Sequence, residues 1–256
     1  MTQATSSYVL KLDRARDHLA AADSAIEGWR KANACTIVGA PVGDTGEYAL
    51  HARIPTQPPP ELSVLIGDCV HNMRSALDHL AFELATAFTP PPLPDAVAGT
   101  SEFPVFDDAT AYGRQAQRKL QGVDPRAKDL IQTMQPYHGG EWELLAFIHE
   151  LDRIDKHRAL NIAVANIERI HVSVRFARPL HSFTFVPPGP VKDGEQLMSY
   201  IAEPTNPLTP VVHEHDATLG VAIAEGRFAR WWASDRLRAA ETLIRERVIP
   251  ALAPYL

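Results

Sequence analysis

The chain has 256 residues, 45% of them hydrophobic, and its 25 basic and 31 acidic side chains give a formal net charge of −6. This apolar fraction is enough for a full core, so the composition excludes a chain that is disordered throughout. The mild acidity is spread along the sequence without blocks, which argues against a protein that coats nucleic acid through bulk charge. It leaves room for a small basic pocket that grips one phosphate.

The cysteines and the N-terminus indicate a compartment. Cys35 and Cys69 are too few for a disulfide framework and too far apart for a Cys-x-x-Cys site, so both are expected to be reduced. The first residues lack the basic run and following apolar run of a signal peptide. No apolar stretch reaches the roughly 18 residues that cross a bilayer. The sequence therefore predicts a cytoplasmic protein that does not enter a membrane.

Apolar residues that recur every three to four positions predict helices along much of the chain. The second helix has the most regular stripe, which runs from Leu62 to Leu84. The helices are expected at about 8–31, 61–88, 110–120, 124–135, 141–155 and 234–252. The proline-rich stretch at 90–94 ends the second helix and predicts an exposed loop.

Strand patterns occur in two places. Residues 36–38 and 48–54 flank Gly43 and Gly46, which is typical of a β-hairpin because glycine allows the positive φ that tight turns need. The other strands follow the helix predicted at 141–155, where β-branched and alternating segments prevail. They are expected at 161–164, 170–176, 182–186, 191–201 and 211–223.

The order of helices followed by strands predicts an α+β fold, a helical bundle with a smaller antiparallel β-sheet. The strands of the C-terminal half are expected to form one sheet against that bundle. We expect a single domain over residues 1–256, with a helical part at about 6–158 that carries the hairpin at 34–54. The sheet would follow at about 160–223, and a C-terminal helix at about 234–252.

Polar side chains of the second helix form the first candidate site. A water-facing helix usually carries Lys and Glu, whereas this one carries short hydrogen-bonding groups that suit a packed polar interior or a pocket. These residues are Asp68, His71, Asn72, Arg74, Ser75, Asp78 and His79. A structural alternative stays open, since Arg74 and Asp78 are spaced as an i, i+4 ion pair and His79 can satisfy a backbone carbonyl.

A second candidate site lies at the end of the helix predicted at 141–155. Its cations are Lys156, His157 and Arg158. They would form an anion site, in which Asp152 or Asp155 orients the imidazole for acid or base catalysis near a phosphate. The alternative is that the three cations only complement the helix dipole.

The two candidate sites are complementary in charge, and each would be costly to bury alone. We therefore expect the end of the helix at 141–155 to approach the middle of the second helix. Asp68 or Asp78 would then pair with one of the three cations at that helix end.

His213 and His215 form a weaker signal, because residues two apart share one face of a strand. A metal site would need a third ligand from elsewhere, such as His71 or His79. Two histidines alternating on an exposed strand are more often surface residues.

Three segments resemble a family of uncharacterised bacterial proteins. They are IGDCVHNMRSALDHLA at 66–81, EFPVFD at 102–107 and LDRIDKHR at 151–158. The resemblance covers most of residues 60–165 and implies no activity, because that family brings none.

The segment from Arg74 to His79 also resembles the Arg-x4-His element of HEPN-type helical proteins, many of which are ribonucleases. The resemblance implies that Arg74 stabilises phosphate charge and that His79 acts as acid or base on a ribose 2′-hydroxyl. Asp78 or Asp68 would then orient the imidazole of His79.

The leading hypothesis is a metal-independent phosphoryl-transfer enzyme that acts on RNA and needs no cofactor. The expected catalytic residues are Arg74, His79 and Asp78. The expected ligand-binding residues are Asp68, His71, Asn72, Lys156, His157 and Arg158. RNA or a phosphorylated small molecule is the expected partner, no membrane and no bound metal are expected, and a homodimer is a candidate assembly.

Two other classes of function stay open. The same polar side chains would serve a non-catalytic module that binds a small ligand or a partner. His71 or His79 with His213 and His215 would serve a metal-dependent hydrolase, which requires histidine nitrogens converging at about 2.0–2.1 Å on one ion. Burial with every polar atom satisfied internally would instead indicate a structural network.

Overall fold

The computed structural model describes most of the chain. The described residues are 5–33, 36–44, 47–54, 56–160, 162–174, 180–185, 193–202, 213–224, 226–228 and 233–256. In four stretches of strand only the backbone is described, at 163–174, 180–185, 202 and 213–220.

The chain divides into two compact units. The helical unit comprises Met1–Asp23, Ser63–Leu160 and Ser234–Leu256, and the sheet unit comprises Ser24–Leu62 and Asn161–Ala233. Each unit draws on segments that are distant in the sequence. The single domain expected over the whole chain stays a prediction.

The predicted α+β fold is confirmed, and the helices lie close to their predicted positions. In the described residues the α-helices are α1 (Ser7–Ala32), α2 (Glu61–Phe88), α3 (Asp95–Ala98), α4 (Ala109–Lys119), α5 (Pro125–Thr133), α6 (Glu143–Asp155), α7 (Ala233–Leu243) and α8 (Ile249–Leu252). The short helix α3 lies where a loop was expected, because Pro94 stands at its N-cap and proline is compatible with a helix start.

Side-chain caps explain where two of the helices begin. The carboxylate of Asp108 accepts a hydrogen bond from the backbone N–H of Ala111 at the start of α4. Asp124 does the same for Arg126 at the start of α5, where Pro125 occupies the first turn. Such caps satisfy N–H groups that have no partner within the helix.

The C-terminal helix differs from the prediction of one element at 234–252. A π-helical turn, Ile244–Val248, separates α7 from α8. The physical reason is Pro250, which has no N–H to donate to the carbonyl of Glu246 and whose ring crowds the preceding turn.

The core of the helical unit is formed by the predicted apolar stripes. On α2 the fully buried members include Ile66, Met73, Leu77 and Leu80. Burial of each such side chain contributes roughly 1.5–3 kcal/mol, so this helix alone anchors much of the unit. At the margin of this core, three ion pairs join α1 to the C-terminal helical segment. They are Arg16 with Glu241 at 3.0 Å, Arg238 with Asp23 at 2.6 Å and Arg245 with Asp13 at 2.9 Å.

The sheet unit contains the predicted hairpin. Its strands, β1 (Thr36–Val42) and β2 (Glu47–Arg53), pair antiparallel, with Gly43 in the turn at a φ of 57°. The later strands are β3 (Ile162–Val174), β4 (Leu180–Phe185), β5 (Gln196–Ala202) and β6 (His213–Ile223).

The prediction that the C-terminal strands form one sheet is wrong. The described strands form a four-stranded sheet in the order β1-β2-β5-β4 and a separate pair, β3 with β6. Strand β5 joins the hairpin because Leu50 lies opposite Met198 and Tyr48 stacks on Tyr200, with ring centroids 5.7 Å apart. Such cross-strand pairs are what stabilises a sheet.

The described residues of the two strands expected at 161–164 and 170–176 belong to the single strand β3. The polar residues between them are accommodated by register shifts against β6 on either side of Ile167. An irregularity of this kind takes up extra residues without ending the ladder. Within the described residues, no helix has the length and apolar character needed to cross a membrane.

Candidate functional site

The two polar clusters meet where α6 runs along α2 in the helical unit. The carboxylate of Asp155 lies against Gly67, and one turn further along α2 the imidazole of His71 meets Asp152. Because Gly67 and His71 share one face of α2, and Asp152 and Asp155 share one face of α6, the helices run in opposite directions here. The predicted approach of the two clusters is therefore present.

His71 and Asp152 form the central contact of this site. The Nδ1 atom of His71 lies 3.0 Å from Oδ1 of Asp152, whose side chain is only 4% exposed. Nδ1 carries the proton that is donated, since an ionised carboxylate can only accept. The imidazole itself is 49% exposed, so Nε2 is left as an acceptor on the open side.

The other oxygen of Asp152 is also taken. Lys156 Nζ lies 2.7 Å from Oδ2 and is itself largely exposed. A buried carboxylate is costly unless it is paired and hydrogen-bonded, and here two partners share that role. The arrangement fixes the orientation of His71 and leaves Lys156 at the surface.

Three further predicted residues line this open side of α2. The Oγ atom of Ser75 lies 3.5 Å from Nε2 of His71. Asn72 donates a 2.8 Å hydrogen bond to the backbone carbonyl of Asp68, one turn earlier. The carboxylate of Asp68 is half exposed and lies 3.9 Å from Nδ1 of His18 on α1.

The cations at the end of α6 are exposed, as an anion site requires. Lys156, His157 and Arg158 all lie at the surface immediately after the last turn. The partners observed for the carboxylates differ from those expected, because Asp68 faces His18 and Asp78 faces Arg74.

Arg74 has a different environment from His71. Its side chain is 3% exposed, and Nη2 donates to Glu102 Oε1 at 2.9 Å and to the carbonyl of Phe103 at 2.8 Å. The same nitrogen forms an ion pair with Asp78 Oδ1 at 2.7 Å. Asp78 also accepts from the N–H of Phe103 at 3.0 Å, and Lys119 pairs with Glu102. The predicted phosphate ligand is thus already surrounded by carboxylates and ties α2 to the following segment.

Charge and burial shift the acids around Arg74 in opposite directions. Burial raises the pKa of Asp78, although Arg74 and the N–H of Phe103 pull against it. Burial also acts on Glu102, but the hydrogen bond from Lys119 and the charge of Arg74 prevail and lower the pKa of Glu102. The two carboxyl groups differ in the cations that they contact, because in the described part of the chain Asp78 has Arg74 alone and Glu102 has both Arg74 and Lys119.

His79, the predicted acid or base, has partners on another element. Ser7, at the start of α1, donates to Glu83 at 3.1 Å, so Nδ1–H of His79 donates to Ser7 Oγ at 3.0 Å. At 100° per residue, side chains five apart on a helix point about 140° from each other. The contacts of Arg74 and His79 accordingly lie on different segments, and the structure does not bring the pair together.

His149 of α6 belongs to the same region and was missed by the sequence analysis. Its Nδ1 is buried and, like Nη1 of Arg74, has no hydrogen-bond partner among the described residues. Burial and then the charge of Arg74 lower the pKa of His149 to about 4, so the imidazole is neutral near pH 7. Its spacing three residues before Asp152 placed it on the same helix face and was the available signal.

A metal centre finds no support in the part of the chain that the structure describes. There, no group of three or more His, Cys, Asp or Glu side chains is arranged to hold an ion. The side chains of His213 and His215 lie outside the described residues.

Comparison with known proteins adds nothing to the site. No protein-family model, no curated protein and no solved structure matches the chain. The resemblance to HEPN-type proteins is therefore a hypothesis, and the argument for function rests on the geometry.

Proposed function

We propose that this chain is a metal-independent enzyme that cleaves RNA, with His71 as the residue that transfers the proton. The observation that carries the proposal is an exposed imidazole whose Nδ1 is held, at 3.0 Å, by the buried carboxylate of Asp152. A carboxylate in this position fixes the tautomer, so that Nε2 is the base, and it stabilises the imidazolium that forms.

The reaction follows from these positions. Nε2 of His71 removes the proton of a ribose 2′-hydroxyl, and the 2′-oxygen attacks the adjacent phosphorus. The bond from phosphorus to the 5′-oxygen breaks, which leaves a 2′,3′-cyclic phosphate and a 5′-hydroxyl. The exposed basic side chains Lys156, His157 and Arg158 attract the phosphate to this end of α6.

The proposal keeps the reaction class implied by the HEPN resemblance and changes the residue that performs it. Arg74 is buried, donates to Glu102 and to the carbonyl of Phe103, and forms an ion pair with Asp78, which supports a positioning role through Asp78 and Glu102. His79 contacts Ser7 rather than the Arg74 cluster. We therefore assign proton transfer to His71.

The test is cleavage of an RNA pool by the full chain in the presence of EDTA. His71→Ala should lose roughly 10²–10⁴-fold in rate, the usual contribution of a general base. His138→Ala is the matched control, since His138 is an exposed histidine of the same unit whose Nε2 lies against the carbonyl of Gln132. A 2′-deoxy substitution at the cleaved nucleotide should abolish the reaction.

Two outcomes contradict the proposal. If the wild-type chain leaves RNA intact, a non-catalytic binding module is the better account. If cleavage requires a divalent ion, so that EDTA stops it in both the wild type and the His138→Ala control, a metal-dependent mechanism replaces the one proposed.

One further contact favours a second candidate, acyl transfer by Ser75. Its Oγ lies 3.5 Å from Nε2 of His71, so serine, histidine and Asp152 stand in the order of a nucleophile, a base and an orienting acid. Ser75→Ala separates the candidates: it should abolish hydrolysis of p-nitrophenyl acetate if serine is the nucleophile. RNA cleavage should continue in this variant, because there the nucleophile is the 2′-hydroxyl.

A further inference from the structure

Asp155 lies unusually close to the backbone of α2. A Cβ added to Gly67 would lie 2.6 Å from Oδ2 of Asp155 and nearer still to Oδ1, a separation that real side chains do not adopt. Glycine is disfavoured in the middle of a helix, so its presence here needs a reason. That reason is space: only glycine lets this carboxylate rest on α2 one turn before His71.

The surroundings of Asp155 differ from those of Asp152. Within the described residues, Asp152 is paired with His71 and Lys156, whereas no hydrogen bond or ion pair reaches the carboxylate of Asp155. The titratable groups that face it are Asp68 and His71 from α2 and Asp152 from its own helix. Asp68 in turn faces His18 of α1.

This environment favours the protonated acid. Burial, Asp68 and Asp152 raise the pKa of Asp155, in that order, and His71 lowers it. Two carboxylates near a third disfavour its ionisation, since like charges in one site repel. The carboxyl group of Asp155 therefore keeps its proton to a higher pH than an ordinary aspartate does, and it lies beside His71.

We propose that Asp155 is the second catalytic residue of the site, the acid that protonates the leaving 5′-oxygen while His71 takes the 2′-proton. The inference rests on the proposed RNA cleavage. Gly67 and His71 are one turn apart on the same face of α2, so the carboxyl group that rests on Gly67 and the imidazole of His71 are neighbours along that face.

The step balances with these two residues alone. A bond forms between the 2′-oxygen and phosphorus, and the bond from phosphorus to the 5′-oxygen breaks. One proton passes from the 2′-hydroxyl to Nε2 of His71, and another passes from Asp155 to the 5′-oxygen. Hydrolysis of the cyclic phosphate by water reverses both transfers and restores the starting protonation.

The test compares two substrates that differ in one atom. The first is an RNA oligonucleotide that the wild-type chain cleaves at one mapped bond. The second carries sulfur in place of the 5′-bridging oxygen of that bond and expels a thiolate, which leaves without a proton. Asp155→Asn should slow cleavage of the oxygen substrate roughly 100-fold, as loss of a general acid does, and leave the sulfur substrate unchanged. His71→Ala should slow both.

A glycine variant provides an independent approach. Gly67→Ala should displace the carboxylate of Asp155 and reproduce the selective loss on the oxygen substrate. Gly28→Ala is the matched control, because a Cβ there meets nothing within 4 Å. The thermal midpoint of each variant verifies that the chain is folded.

The outcomes distinguish the inference from the function on which it rests. If Asp155→Asn slows both substrates equally, the residue only positions the helix end and the inference is wrong. If it slows neither while His71→Ala slows both, the inference fails and the proposed function stands. If His71→Ala also slows neither, both fail.

Discussion

Two polar clusters on the same helix differ in how far they are open to solvent. Around Arg74, two carboxylates and a backbone carbonyl close on a guanidinium that is 3% exposed. Around His71, one buried carboxylate holds one ring nitrogen and the other nitrogen faces an exposed side. In the sequence alone the two clusters look alike, because both consist of charged and polar residues of α2. The partners of each cluster distinguish the two: we expect a structural role for Arg74 and proton transfer by His71.

The largest effect should follow from removing the charge that holds His71. Asp152→Asn keeps the shape of the side chain but loses the carboxylate, so the imidazole tautomer is no longer fixed and the imidazolium is not stabilised. We expect the rate of RNA cleavage to fall roughly 10²–10⁴-fold with the fold retained. Initial rates and the thermal midpoint measure the two quantities.

Asp17→Asn is the control for that substitution. Asp17 pairs with Arg14 at 3.7 Å on the exposed side of α1, so the same chemical change there should leave the rate as it was. An Asp152→Asn protein with the full wild-type rate would remove the distinction between the two clusters.

Arg74→Ala tests the closed cluster and should act on stability. It leaves Asp78 and Glu102 without their shared cation, and both carboxylates are partly buried. We expect the free energy of unfolding to fall by about 3 kcal/mol, the lower end for breaking a buried ion pair, because the acids keep some exposure. Urea denaturation measures this change. For the exposed pair, Arg14→Ala should cost about 0–1 kcal/mol. Full stability with lost RNA cleavage would restore Arg74 as a phosphate ligand.

His149 should make the stability of the buried region around Arg74 depend on pH. Burial and Arg74 lower its pKa to about 4 in the folded protein, against an ordinary value of 6.5. Between these pH values the unfolded chain binds a proton that the folded protein excludes, so the stability contribution is present above pH 6.5 and is lost as the pH falls towards 4. The wild type should therefore lose on the order of 2 kcal/mol more than His149→Gln over this range. Parallel pH–stability curves for the two proteins would contradict this.

The smallest effect is expected for His79→Ala. This imidazole donates one hydrogen bond, to Ser7 Oγ, and a single hydrogen bond contributes about 0.5–1.5 kcal/mol to stability. RNA cleavage should be retained. Loss of activity in a folded His79→Ala protein would favour the pairing of Arg74 with His79 that the HEPN resemblance implies.

The helices and the hairpin were predictable because they depend on local patterns. The apolar stripe from Leu62 to Leu84 predicts a helix, and the turn at Gly43 predicts a hairpin, from residues that are close together in the sequence. Sheet order was not predictable, because the pairing of β2 with β5 joins segments about 150 residues apart through contacts such as Tyr48 on Tyr200. Nothing near either tyrosine indicates its partner.

The helices that form the site were predictable, whereas the contacts between their side chains were not. The end of α6 approaches α2 as expected, but through Asp152 and Asp155 rather than through the expected pairing of Asp68 or Asp78 with a cation of α6. From the sequence we expected Asp152 or Asp155 to orient the imidazole of His157, whereas in the structure Asp152 holds His71. This pairing depends on the face that α2 turns towards α6. The rotation of α2 about its axis depends on close packing at Gly67. Glycine has no side chain, so it gives no signal in a pattern of polar residues.

Chemical rescue tests the proton-transfer role of His71 most directly. His71→Ala removes the imidazole but leaves Asp152, Lys156 and the exposed face in place, so free imidazole has a site to enter. The account predicts that added imidazole restores RNA cleavage by this variant in proportion to its concentration, and that it leaves the rate of His138→Ala unchanged. A His71→Ala protein that is folded and inactive, and that imidazole does not restore, would contradict it.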